Sequence, residues 1–265
     1  MDELELDIDD GIARVWLNRP TRHNALNETL IAALHRLLDA LAERDDVRVL
    51  VLAGRGPDFC AGADLDWMRR MAATDPGHNH DDAARLAALL QRLAQLPQPV
   101  LARIRGAAIG GGLGLAAACD ITLASRDAHF ALSEVRLGLV PATIAPYVVD
   151  AIGARQATRY ALSAERIDAE TALRIGLVHE LAADADELDR RIATLCQALR
   201  QGAPGAQARC KALLRQARGR DDERDARLRQ DGIELLATIR AGDEAREGIA
   251  AFFDKRAPRW SGGAR

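Results

Sequence analysis

Gly106-Ala107-Ala108-Ile109-Gly110-Gly111-Gly112-Leu113-Gly114 comes one residue after the apolar run Val100-Leu101-Ala102-Arg103-Ile104. A strand-to-helix junction built of glycine and alanine lets another backbone or a ligand come close, because no side chain holds it off. The triple glycine opens a helix, so its free N–H groups and positive dipole end favour negative charge there. A second junction, Phe59-Cys60-Ala61-Gly62-Ala63-Asp64-Leu65, follows the apolar run Val47 to Ala53. Three uses compete for the glycine run. A nucleotide phosphate loop fails on spacing: there is no G-x-G-x-x-G and no Gly-Lys-Ser/Thr, although Glu134 falls near where a ribose-binding acid would. Close packing of helix on sheet fits. So does an oxyanion hole, a pair of N–H donors aimed at developing negative charge.

Working outward, Leu4 to Leu17 alternates around Asp9-Asp10-Gly11 and reads as a β-hairpin. Leu30, Leu34, Leu37, Leu38 and Leu41 predict a helix from about Asn27. Val47 to Ala53 is nearly all apolar, as in a strand covered on both faces. The alternation continues with a helix over Ala83 to Leu96, stopped by Pro97 and Pro99, then strands at Val100 to Ile104 and Ile121 to Ala124. This is an α/β pattern with mostly parallel strands. From Leu188 onward only helical patterns occur: Leu188 to Leu199, Ala206 to Ala217, Glu223 to Ile239 and Glu244 to Phe253. We expect an α/β core over residues 1–190 and a helical region over 191–265. Thr74 to Asp82 reads as a polar loop, and its His78-Asn79-His80-Asp81-Asp82 run, though it resembles a metal cluster, as solvated surface.

Composition removes several functions. A net charge of -3 gives no basic field to recruit nucleic acid or an anionic membrane. No cationic head with an apolar stretch opens the chain, and no run approaches the roughly 20 apolar residues that span a bilayer. Cys60, Cys119, Cys196 and Cys210 have no zinc-finger or CxxC spacing, and Cys60 has no base near it in sequence, so buried packing suits it better than nucleophilic work. The cytoplasm is the expected compartment.

Taken in order, Asn24-Ala25-Leu26, Ala61-Gly62-Ala63-Asp64, Gly110-Gly111-Gly112, Cys119-Asp120, Glu134 ahead of Leu137-Gly138-Leu139-Val140-Pro141, Arg174-Ile175-Gly176-Leu177-Val178 and Phe252-Phe253-Asp254-Lys255-Arg256 resemble the crotonase superfamily of enoyl-CoA hydratases and isomerases. The matches run from Asn18 to Lys255. The resemblance implies an α/β spiral of repeated ββα turns with a C-terminal helical trimerisation region, giving a homotrimer or a hexamer. It implies that the N–H groups of Ala63 and Gly111 hold the thioester oxygen and that Glu134 moves the proton. It also places coenzyme A against Ala61, Asp64 and Leu65, with Ala25 and Arg22 near its pantetheine and phosphates, and Phe252 and Lys255 reaching a coenzyme A on a neighbouring subunit. The alternative for Lys255 is an ordinary solvent lysine. Coenzyme A belongs to the substrate; no metal or redox cofactor is implied.

One position departs from the pattern. Hydratases that this chain resembles carry a glutamate three residues after the second glycine and another about twenty further on; here these are Gly114 and Glu134. A single carboxylate suffices for hydration or for Δ3,Δ2-isomerisation, and a catalytically idle coenzyme A-binding scaffold is the third possibility. The segments Gly62 to Met68 and Leu132 to Val148 are similar to 3-methylglutaconyl-CoA and isohexenylglutaconyl-CoA hydratases, so a branched, carboxylated enoyl-CoA is the expected substrate. Arg69, Arg70 and Arg136 are candidates to meet its carboxylate, and Trp67-Met68 is either core or acyl-pocket wall.

Overall fold

The computed structural model describes residues 3–72 and 76–261. Strands β1 (Leu4–Asp9) and β2 (Ile12–Leu17) form the expected hairpin. Asp10 and Gly11 turn it with φ of 49° and 74°, the left-handed pair that a two-residue hairpin turn needs. Helix α1 (Glu28–Ala42) starts where Asn27 accepts the Leu30 N–H at 2.8 Å, and it buries Leu30, Ile31, Leu34, Leu38 and Leu41. Strands β3 (Val49–Gly54) and β4 (Val100–Ile104) are buried at every residue, as their unbroken apolar runs require.

With β6 (Ile121–Ser125) and β9 (Glu180–Ala182) these strands make one sheet in the order β1-β2-β3-β4-β6-β9, parallel throughout except for the hairpin. The pleat sends Val49, Val51 and Leu101 to one face, where Leu188, Ile192 and Cys196 of α7 (Ala185–Arg200) cover them. Leu50, Leu52, Val100 and Ala102 face the larger core with α1 and α3 (Pro76–Gln95). A smaller sheet, β5 (Ala107–Ile109), β7 (His129–Ala131) and β8 (Ile167–Asp168), runs alongside. Each long strand thus hands over to a short one and then to a helix: β4, β5, α4 (Gly111–Ala118); and β6, β7, α5 (Ala145–Ser163). That is the expected ββα repeat. The short helices α2 (Leu65–Ala72) and α6 (Ala169–Arg174) complete the core.

The helices expected after Leu188 are present as α7, α8 (Pro204–Ala217), α9 (Asp222–Arg240) and α10 (Asp243–Phe253). A division at residue 190 passes through α7, which packs on the sheet on both sides of that point. The polar loop expected over Thr74 to Asp82 is corrected for its second half. Pro76 to Asp82 form the first turns of α3, and Asn79 and Asp82 are buried rather than solvated. Thr74 and Asp75 lie outside the described residues. Among the described residues no helix is long and apolar enough to cross a membrane, and no group of three or more His, Cys, Asp or Glu is placed to hold a metal ion.

Candidate active site

The two glycine-alanine junctions meet because their backbones pair. Phe59 donates to the Arg105 carbonyl at 2.8 Å, Cys60 to Ala107 at 2.9 Å, and Ile109 to Cys60 at 3.0 Å. Beyond this ladder the chains run on side by side as Gly62-Ala63 and Gly110-Gly111. On its other side the first junction pairs with Leu26, which donates to Gly62 at 2.7 Å and accepts from Asp64 at 2.7 Å. In a parallel bridge the intervening residue turns its own N–H away, so Ala63 directs its donor from Leu26 toward the second junction. Gly111 is the first residue of α4, where an N–H has no partner inside the helix. Among the described residues neither N–H has a protein acceptor.

Glycine is needed here for two reasons. Gly110 has φ 49° and ψ -116°, a region closed to other residues. At Gly112 a Cβ would stand 2.2 Å from the Cys60 carbonyl oxygen, so a side chain would push the junctions apart. Cys60 itself is fully buried and its thiol is pushed up to about 12 by desolvation, which disfavours the thiolate that a nucleophile needs.

Glu134 reaches the same place through the smaller sheet. Ile109 and Ala131 are partners in the parallel β5–β7 register, and Gly110 donates to Ala131 at 2.9 Å. Leaving the sheet at the same end, one chain reaches Gly111 and the other Glu134. A Cβ on Gly110 would stand 3.1 Å from Glu134 Oε1, so the carboxylate lies against the residue preceding Gly111 and its free N–H. Its Oε2 is buried with no hydrogen-bond partner among the described residues. Desolvation by burial, only partly offset by its own backbone N–H, pushes the carboxyl up to about 7. The Glu134–Leu137 turn is held from behind by α10, where a Cβ on Gly248 would meet the Leu137 carbonyl at 2.4 Å.

Gly114, the departure from the two-carboxylate pattern, is filled space. A Cβ there would stand 2.3 Å from Ile144 Cγ2 and 2.8 Å from its Cβ, and Ile144 is buried. A glutamate at this position has no room unless Ile144 moves.

Comparison with known proteins gives the family. Residues 7–263 match the enoyl-CoA hydratase/isomerase family model. The chain belongs to the enoyl-CoA hydratase/isomerase family. It is 32% identical to the 2,3-dehydroadipyl-CoA hydratase of Escherichia coli over 99% of this chain and 100% of that one. The peroxisomal Δ(3,5)-Δ(2,4)-dienoyl-CoA isomerase of Arabidopsis thaliana is 30% identical, covering 96% and 94%. The crystal structure of an enoyl-CoA hydratase from Mycobacterium avium superposes with a TM-score of 0.86 at 36% identity, covering 97% of this chain and 98% of that one. The crotonase fold expected from the motifs is therefore the fold of this chain, and the family member is an enzyme of the hydratase type.

The remaining site residues fall into two groups. Ala25, Ala61, Asp64, Leu65 and Arg22 gather around the Leu26–Ala63 bridge. Ala61 donates to the His23 carbonyl at 2.9 Å, and exposed Arg22 pairs with Asp66 at 3.4 Å. The Asp64 side chain is committed elsewhere: it takes Arg19 at 2.9 Å and caps α2 through the Trp67 N–H at 3.2 Å. Burial would raise this carboxyl, but those partners outweigh it and hold it below the usual range. Phe252 and Lys255 are exposed at the end of α10, which packs on α2 through Arg69 over the Phe253 ring at 4.3 Å.

Of the candidate carboxylate readers, Arg69, Arg70 and Arg136 are all exposed. Arg69 also pairs with Asp66 at 3.2 Å, and Arg70 approaches Glu28 at 3.9 Å. The motif residue Asn24 ties loops together. Fully buried with φ 54°, it accepts from the Arg19 N–H and donates to the Arg55 and Asp58 carbonyls, all at 2.8 Å. The sequence pattern did not reveal Ile144, nor a buried group on α3 and α9 in which Arg240 pairs with Asp82 at 2.7 Å and Asn79 at 3.2 Å. The one signal for that group was an acid and an amide, Asn79 and Asp82, at helical spacing in a segment read as loop.

Proposed function

We propose that this chain is an enoyl-CoA hydratase acting on a branched, carboxylated enoyl-CoA of the 3-methylglutaconyl type. The observation that carries the hydratase reading is the desolvated Glu134 carboxylate lying against Gly110, beside two amides that converge without protein acceptors. The thioester oxygen accepts from Ala63 and Gly111, which draws electron density from the β-carbon. Glu134 takes a proton from water as the hydroxyl oxygen bonds to that carbon, and the double-bond electrons move into the enolate. The Glu134 carboxyl then returns the proton to the α-carbon, leaving the 3-hydroxyacyl thioester and a regenerated carboxylate. The acyl reading is supported by the Gly62 to Met68 and Leu132 to Val148 segments, and by a relative named for a dehydroadipyl thioester, whose acyl group ends in a carboxylate.

The coenzyme A moiety is assigned to Arg22, Ala25, Ala61, Asp64 and Leu65, with backbone rather than the committed Asp64 carboxylate facing it, and to Phe252 and Lys255. Exposed Leu213 and Leu214 on α8 and Leu235 on α9 suit a homotrimer or hexamer built on the helical region. Four free cysteines suit the reducing cytoplasm. The second reading, a Δ3,Δ2-isomerase, is favoured by glycine at 114: one carboxylate can carry a proton between carbons without water. An idle scaffold has no use for a carboxylate whose Oε2 is buried without a partner among the described residues. The discriminating assay is absorbance of the conjugated enoyl thioester. Hydration of 3-methylglutaconyl-CoA or crotonyl-CoA lowers it, whereas isomerisation of a 3-enoyl-CoA raises it. A rise with no hydration of either 2-enoyl thioester would replace the hydratase reading.

A further inference from the structure

Arg240 is the last residue of α9 and 3% exposed. Its Nη1 serves Asp82 at 2.7 Å and Asn79 at 3.2 Å, yet its Nε is buried with no acceptor among the described residues. Its guanidinium carbon lies 5.8 Å from the Trp67 ring centroid. The Trp67 indole N–H, in a residue 1% exposed, is likewise buried without an acceptor. Both groups are donors only, so nothing but an acceptor satisfies them, and leaving two such donors unmade in a dry interior is unfavourable. Asp82 does not saturate the guanidinium: it meets Arg240 through Nη1 alone, and half-exposed Arg85 approaches its other oxygen at 3.6 Å.

The place is adjacent to the chemistry. Ile239, next in the chain to Arg240, packs in an apolar cluster with Met68, Leu139 and Ala245, which Ala63 also joins. Ala63 supplies an oxyanion donor, and Leu139 N–H bonds the Glu134 carbonyl at 3.0 Å. An acyl chain that parted these packed side chains would run from Ala63 toward Ile239 and its neighbour Arg240. By contrast Arg69, Arg70 and Arg136 stand in water, where an ion pair discriminates little.

We propose that Arg240, with the Trp67 indole N–H, is the specificity-determining receptor for the acyl carboxylate. This rests on the carboxylated-substrate reading given above. The guanidinium offers its Nε edge to one carboxylate oxygen while Asp82 holds the other edge, and the indole takes the second oxygen.

The test compares kcat/KM for 3-methylglutaconyl-CoA with that for crotonyl-CoA, which lacks the carboxylate, in wild type, Arg240→Lys and Trp67→Phe. Lysine keeps a cation for Asp82 and loses the Nε edge; phenylalanine keeps the aromatic wall and loses only the donor. Circular dichroism and melting confirm folding first. The preference of the wild type should fall at least about tenfold in Arg240→Lys and roughly threefold or more in Trp67→Phe, mainly through KM. A wild type without preference overturns the carboxylated-substrate reading and this receptor with it. A preference that persists in both variants leaves that reading standing and overturns the receptor alone. Equal losses on both substrates mean a structural role only and also overturn it. Should Arg240→Lys fail to fold, an unchanged preference in Trp67→Phe is enough to overturn it.

Discussion

Replacing Glu134 by glutamine should abolish turnover and at the same time stabilise the protein above neutral pH. Burial has raised this carboxyl from 4.5 to about 7, which corresponds to about 3 kcal/mol of penalty on the charged form. The sign follows from proton counts. Between pH 4.5 and about 7 the folded state holds a proton that the unfolded state has lost, so stability falls as pH rises through that window. Glutamine titrates in neither state. The variant should therefore match wild type near pH 4.5 and exceed it by up to about 3 kcal/mol at pH 8, read by urea unfolding at the two pH values. Activity moves the other way. Wild-type kcat/KM should rise by roughly tenfold from pH 6 to pH 8 as the carboxylate forms, with one ionisation and no alkaline limb from a second carboxylic acid. The same ionisation should govern dehydration, since abstraction of the α-proton also begins from the carboxylate. A glutamine variant that keeps most of its kcat, or one no more stable than wild type at pH 8, would refute the reasoning.

Gly111→Pro removes the proposed oxyanion N–H and should cost at least about a hundredfold in rate in a protein whose circular dichroism and oligomer mass remain native. Gly114→Glu should not install a second catalytic acid but should lower the melting temperature, because its Cβ meets Ile144 Cγ2 at 2.3 Å; adding Ile144→Ala should recover much of that loss, and a fully stable, faster single variant would contradict the packing.

The sequence was most legible where periodicity ran long. β3, β4, α1 and the four helices after Leu188 each present an apolar pattern set by their own geometry, and they formed close to the expected limits. β5, β7 and β8 are two or three residues long, too short for any alternation to register, yet they bring Glu134 beside Gly110. The motif order nominated the donors and the carboxylate by resemblance, whereas the meeting of the two junctions depends on backbone ladders between Phe59-Cys60 and Arg105 to Ile109. The error over Asn79 and Asp82 has a plain cause: polar residues read as surface unless their partner is known, and Arg240 lies 158 residues from Asp82.

Glycine at 114 and a raised Glu134 are two sides of one chemical requirement. With two carboxyl groups, one accepts the proton from water while the other donates to the α-carbon, and each can keep a pKa suited to its own half. With Ile144 occupying the second position, the proposed mechanism requires Glu134 to do both, holding the proton between the two bond-forming events. A carboxyl of ordinary acidity would hold that proton weakly in the intermediate. One too basic would carry it already in the resting enzyme. A value of about 7 balances the two demands at neutral pH. The protein reaches it by burial alone, since desolvation is the principal cause and Oε2 has no partner among the described residues. A cation near Glu134 would lower the value again, which is a physical reason for the proposed carboxylate receptor to be a guanidinium set 5.8 Å from the Trp67 ring and already half committed to Asp82.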